Sequence, residues 1–232
     1  MNRVWLIAAN VVREQRWFLL LMFAYIVGIT GLMYFVEKKE EDVLLIFKQE
    51  AIYGTFFSVV IAASLFQNER KTRRILAVLS KAVSRREYVA AAIVGVNLAT
   101  ALYYAAVFAS LFVLFPRVHG DGAAVMMLHL MAASLLASVV TVLYTTFIHP
   151  LVATLLTGLT LGSALLFDKW GWYLCAQALP VVALIKHAFA FSPDKPLALE
   201  GSLLTLALAE CAVLWLLASW IFGLRDITAA VE

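Results

Sequence analysis

Four histidines, two cysteines and one carboxylate deep in an apolar run are the side chains here with the widest chemical range. His119, His129, His149 and His187 fall on different segments, and no two share the helical spacing that would aim a pair of imidazoles at one metal ion. Cys175 lies in an expected outer loop and Cys211 in the middle of the last apolar run, which argues against a disulfide between them. The sequence contains no GxxxxGK[ST] phosphate loop, HExxH, CxxC or GxSxG elbow. It therefore offers no catalytic centre, no metal site and no cofactor cradle of its own, and an enzyme is not expected. Glu210, in "LALAECAVLW", is what remains. Whether that carboxyl is functional depends on the elements that surround it.

Those elements are set by composition. A soluble domain carries roughly 25% charged residues; this chain of 232 residues carries 14%, with 64% hydrophobic residues and a mean hydropathy of +0.92. A helix needs about 20 mostly apolar residues to cross the hydrocarbon with its backbone bonded internally. Six blocks meet that test: Trp17 to Val36, Ala51 to Gln67, Val89 to Phe115, Ala123 to Ile148, Leu151 to Phe167, and Ser202 to Phe222. The fourth and fifth form one uncharged stretch interrupted by "IHPL", where Pro150 suits the first turn of a new helix. The expected fold class is all-α, one polytopic membrane domain over residues 1–232.

In such a span a charged side chain costs roughly 2.5–3.5 kcal/mol on insertion scales, so Glu210 must face protein or water. It is either a substrate or proton contact, or a structural carboxyl that is protonated or bonded to another helix through Asn97, Tyr103 or His129. Glu210, Asn97 and His129 are thus the candidate intramembrane polar site.

Basic loops stay cytoplasmic. With both termini inside, the inner pieces hold eleven basic residues and the outer ones seven, three of them in "EKKEEDVLLIFKQE", whose five acidic residues outnumber them. The net charge of +3 then reports topology in a cytoplasmic membrane and not nucleic-acid binding. Residues 1–16 are too short to span, yet Val4, Leu6 to Ala8, Val11 and Val12 recur at nearly helical spacing, as in an interfacial amphipathic helix. A cleaved signal peptide fits less well, since no small-x-small site follows the block at Trp17.

Two rows of small residues bear on packing. Gly158 and Gly162, with Thr154 one turn earlier, form a small-xxx-small row in the fifth span, and Ser134, Ser138 and Thr141 or Thr145 form another in the fourth. Both serve helix packing, within a subunit or between subunits. Residues 168–201 are too apolar for a free loop and too broken for a span. Trp170, Trp172 and Tyr173 suit an interfacial belt, and the pieces around Pro180 are expected as short helices, either re-entrant from the outer side or loosely packed on the surface.

The charge that the chain otherwise avoids is concentrated in "ERKTRRILAVLSKAVSRREYV", residues 69–89, with seven basic and two acidic residues. Ile75, Leu76, Leu79, Ala82 and Val83 share one helical face. The spacing predicts an amphipathic cytoplasmic helix between spans two and three, docking on lipid headgroups or on a cytoplasmic partner.

Here the sequence resembles the membrane subunits of type-2 ABC exporters, six-span permeases served by a separate ATPase chain. The second span of that family ends in a Glu-led segment, followed by Ile, a leucine pair and Ser-Lys-Pro-Val-Ser-Arg before an aromatic residue. The matching positions are Glu69, Ile75, Leu79, Ser80, Lys81, Val83, Ser84, Arg85 and Tyr88. Arg73 and Arg74 stand where Gly-Thr is usual, Ala82 replaces the proline, and Ala92 sits where a lysine is common. The opening "MNRVWLIAANVVREQRWFLL", with Glu14 and Arg16, and Leu179-Pro180 resemble the branch associated with copper-enzyme maturation. The resemblance implies an N-terminal elbow helix (1–16) and a coupling segment (69–88) that contacts the ATPase through Glu69, Ile75, Leu76, Leu79, Ser84 and Arg85. It also implies a second permease copy or paralogue, with ATP and Mg bound in the partner ATPase. Two readings from other classes stand beside it: an ion-coupled carrier or channel using Glu210, and a non-transporting anchor for a cytoplasmic protein.

Overall fold

The computed structural model describes residues 3–35, 39–71, 83–116, 118, 120–172 and 179–224. Among them the chain is all-helical, with eight helices: α1 (Arg3–Glu14), α2 (Arg16–Phe35), α3 (Glu40–Lys71), α4 (Arg85–Leu114), α5 (Gly120–Thr145), α6 (Pro150–Lys169), α7 (Val181–Phe189) and α8 (Gly201–Leu224). Six of these, all but α1 and α7, are long and apolar enough to cross a membrane. Each contains one of the six apolar blocks of the sequence or matches it to within a few residues.

α5 is the hub, packed against α3, α4, α6, α7 and α8. Its apolar window is 67% buried inside the bundle, against 22% for α2, α6 and α8. The buried core is therefore shared by α3, α4 and α5, while the other spans present apolar side chains outward, as lipid-facing helices do.

One boundary differs from the sequence reading. Residues 40–50, expected in an outer loop, are the first three turns of α3, which runs for 32 residues. Glu40, Glu41 and Asp42 occupy its first turn, where acidic side chains complement the helix dipole, and Phe47 and Glu50 are buried against neighbouring helices. An acidic cluster that reads locally as a loop is here a helix start stabilised by packing one to three turns later.

Two glycines fix the helix spacing. At Gly95 of α4 an added Cβ would lie 2.7 Å from Val11 Cβ and 3.0 Å from the Ala8 carbonyl oxygen, so α1 docks on α4 through Ala8 and Val11, both buried, only because position 95 has no side chain. At Gly54 of α3 a Cβ would collide with the Tyr104 ring. Between α5 and α6 the chain turns tightly, and Pro150 is the first residue of α6 as its fixed φ and missing N–H allow. Hydroxyls join that hairpin: Thr157 Oγ1 donates to Thr141 Oγ1 at 3.2 Å, and Tyr144 Oη lies 2.7 Å from Thr160 Oγ1.

α7, in the segment expected to hold short helices near Pro180, follows that proline directly and buries Val181, Leu184 and Ala188. Lys48 Nζ of α3 donates to the carbonyl of Phe189, its last residue, at 2.7 Å. A cation at a helix C-terminus meets both an orphan carbonyl and the negative end of the dipole.

Candidate functional site

The expected coupling segment is bracketed by the end of α3 at Lys71 and the start of α4 at Arg85. Ile75, Leu76 and Leu79 lie outside the described residues, as does the side chain of Glu69. Ser84 and Arg85 are described, and both are engaged with the bundle. Ser84 is the N-cap of α4: its Oγ accepts from Glu87 N at 3.2 Å while Ser84 N donates to Glu87 Oε2 at 2.8 Å. This capping box satisfies two orphan donors reciprocally. Its signature, Ser-x-x-Glu ahead of an apolar run, stands in "SRRE" and marks where α4 begins.

Arg85 reaches across to the last helix. Its Nη1 donates to the carbonyls of Phe222 at 3.2 Å and Gly223 at 2.6 Å, at the C-terminal end of α8. Beside it Tyr88 and Phe222 stack with ring centroids 5.8 Å apart. The start of α4 and the end of α8 are thus clamped at one end of the bundle, directly after residues 69–83. No sequence spacing links positions separated by 137 residues, so this role of Arg85 could not be read locally.

The interior holds a connected set of hydroxyls and one amide. Tyr104 Oη lies 2.8 Å from Ser134 Oγ, which donates to Thr55 Oγ1 at 3.2 Å, and Ser58 Oγ donates to the Ser134 carbonyl at 3.1 Å. Asn97 Nδ2 donates to Ser138 Oγ at 3.1 Å and to the Ile93 carbonyl at 2.8 Å. The polar row of the fourth span is therefore used inside the subunit, by α3 and α4 on one side and, through Thr141, by α6 on the other.

The other row behaves differently. Around Gly158 and Gly162 an added Cβ would meet nothing within 4 Å, so neither glycine sits at a close helix contact within the subunit.

Glu210, Asn97 and His129 do not form one bonded site. Glu210 is half-buried, and its Oε2 is buried without a hydrogen-bond partner. The amide of Asn97 is directed to α5. His129 is fully buried, with Nδ1 2.7 Å from the Val125 carbonyl and its ring centroid 4.5 Å from that of His187 on α7. Tyr103, the third expected partner of Glu210, instead donates its hydroxyl to the backbone carbonyl of Glu50 at 2.7 Å.

Glu50, which the sequence places in an outer loop, is a second buried acid. It is 1% exposed, and neither carboxyl oxygen has a hydrogen-bond partner among the described residues. An open, mostly apolar groove of about 610 Å³ runs between α2 and α4, lined among others by Ile26, Thr30, Tyr34, Ala106 and Ser110. Among the described residues no three His, Cys, Asp or Glu side chains are grouped to hold a metal ion.

No family model matches the chain, and no curated protein matches its sequence.

Proposed function

We propose that this chain is the membrane-spanning permease subunit of an ATP-driven type-2 ABC exporter, coupled through residues 69–88 to a separate ATPase subunit. The observation that carries the reading is the position of that segment. It joins the end of α3 to the capped start of α4, and α4 is tied there to the end of α8 by Arg85. A push on the segment would reach three spans at once.

In this reading both termini and residues 69–88 are cytoplasmic, in keeping with the excess of basic residues on that side. α1 is the elbow at the inner interface: Ala8 and Val11 face α4 while Trp5 and Leu6 are exposed, a pattern suited to lipid. α7 and its flanks form the outer re-entrant element, supported by the protein contacts that a non-spanning backbone requires at membrane depth. The His129–His187 contact supports that depth, since His129 lies nine residues into α5, about 13 Å along its axis. A second permease copy or paralogue would complete the path, and ATP and Mg would be bound by the ATPase. Purification of the tagged chain in mild detergent tests the reading: an ATPase with a phosphate-binding loop should accompany it, and absence of any ATPase across mild detergents would contradict it.

The buried, unpartnered Oε2 of Glu210 favours one other reading, an ion-coupled carrier. That reading requires transport by the chain alone and its loss in Glu210→Gln, whereas the permease reading expects Glu210→Gln to retain most ATPase activity linked to transport.

A further inference from the structure

The exporter reading leaves Glu50 without a role, and its surroundings give it one. The side chain is 1% exposed and both oxygens lack a partner. A carboxylate in such a place is an uncompensated buried charge, which proteins avoid by pairing or neutralising it. No described side chain supplies the countercharge. Lys48, two residues away on the same helix, is committed to the Phe189 carbonyl. The titratable groups in electrostatic reach are phenols, Tyr25 of α2 and Tyr103 of α4, with Tyr53 of α3 beside them. α5, which also packs on α3, contributes His129, whose ring lies on His187.

We propose that Glu50 is a cation-binding site within the bundle, occupied by a proton or a monovalent metal ion. A single carboxylate whose electrostatic neighbours are neutral phenols is balanced by one positive charge. A divalent ion would leave an excess charge buried in its place. Tyr25 and Tyr53, with ring centroids 6.2 Å apart, are 38% and 44% exposed, so Tyr25, in electrostatic reach of Glu50, stands partly at the surface of the bundle. The Tyr103 hydroxyl bonded to the Glu50 backbone holds α3 against α4 at the same level, so occupancy of the site bears on the packing of two core helices.

The proposal does not depend on the ATPase and is tested on the purified full chain in detergent micelles. Thermal unfolding is followed at several pH values in a salt of a bulky organic cation, then at constant pH with added lithium, sodium or potassium chloride. A cation that binds the folded state raises the midpoint by mass action, roughly 3–6 °C per tenfold rise in its concentration for a chain of this size. The wild type should show that response, to acid alone if the ligand is a proton and to one alkali ion as well if it is a metal. Glu50→Gln, a neutral isostere, should remain folded and lose the response. A second measurement covers a variant that fails to fold. Dicyclohexylcarbodiimide, which enters apolar sites, adds to a protonated carboxyl, and mass spectrometry should find the adduct on Glu50, decreasing as pH rises or as the binding metal ion is added. An equal midpoint response in wild type and Glu50→Gln would overturn the proposal. So would a Glu50 adduct indifferent to pH and to every alkali ion, or its absence where Glu210 is labelled.

Discussion

The two ends of the bundle use the same device to different effect. At the end where α3 begins, Lys48 donates to the last carbonyl of α7; at the end where α4 begins, Arg85 donates to two carbonyls at the end of α8. Each places a cation on a helix C-terminus, where dipole and orphan carbonyls favour it. The Lys48 contact secures a nine-residue helix that is already packed on α5 by Val181, Leu184 and a histidine ring contact. The Arg85 contact joins two spans next to a segment carrying seven of the chain's eighteen basic residues. One contact holds a short helix on the bundle, and the other ties two spans together where the proposed coupling segment meets them.

Arg85→Ala should have the largest effect on the subunit itself. It removes two hydrogen bonds from a charged donor, each contributing roughly 1.5–3 kcal/mol at most, and leaves the carbonyls of α8 without that donor. Thermal unfolding in detergent should move downward by several degrees, and a cysteine pair placed across the α4–α8 contact should cross-link less completely. Lys48→Ala should cost about half as much, because one bond is lost and α7 keeps its apolar contacts with α5. If Lys48→Ala proves the more damaging, the end held by Lys48 is the mechanical anchor and the contrast between the ends is reversed.

Ser84→Ala tests the end held by Arg85 more gently. Loss of the N-cap should cost about 1 kcal/mol, read as a small fall in the unfolding midpoint, and Ser84→Asp, which caps equally well, should restore it. Gly158→Ala should have the smallest effect, within about 0.5 kcal/mol, since an added methyl meets nothing within 4 Å. A large loss of stability or assembly in that variant would mean that another chain packs on this face of α6.

Much of this architecture was legible because crossing a membrane imposes long apolar runs. The six blocks, the break at Pro150 and a helix beginning beside Pro180 follow from hydropathy and from proline geometry. What was not legible is nonlocal. Residues 40–50 read as a charged loop because only their packing, with Phe47 and Glu50 buried, makes them helix, and that misassignment hid Glu50. The Gly158 and Gly162 row matched a packing pattern, yet the close helix–helix approaches at described glycines are at Gly54 and Gly95. Spacing places small residues on one face without saying which face meets a neighbour. For Arg85 the resemblance implied a partner contact, and its described bonds go to α8. For Glu210, burial was expected from depth, while the proposed partners Asn97, Tyr103 and His129 bond elsewhere.

If residues 69–88 couple this bundle to an ATPase, Leu79→Asp should break that coupling. The substitution puts a carboxylate among Ile75, Leu76 and Leu79, which the sequence spacing aligns, where burial against a partner would make an unpaired charge costly, and it leaves all seven basic residues in place. Tagged wild type and variant are purified in mild detergent, and co-purified ATPase and coupled ATP hydrolysis are measured on each. The variant should insert with unchanged topology while ATPase association falls at least tenfold and coupled hydrolysis is lost. Full association and full coupled hydrolysis in Leu79→Asp would contradict it.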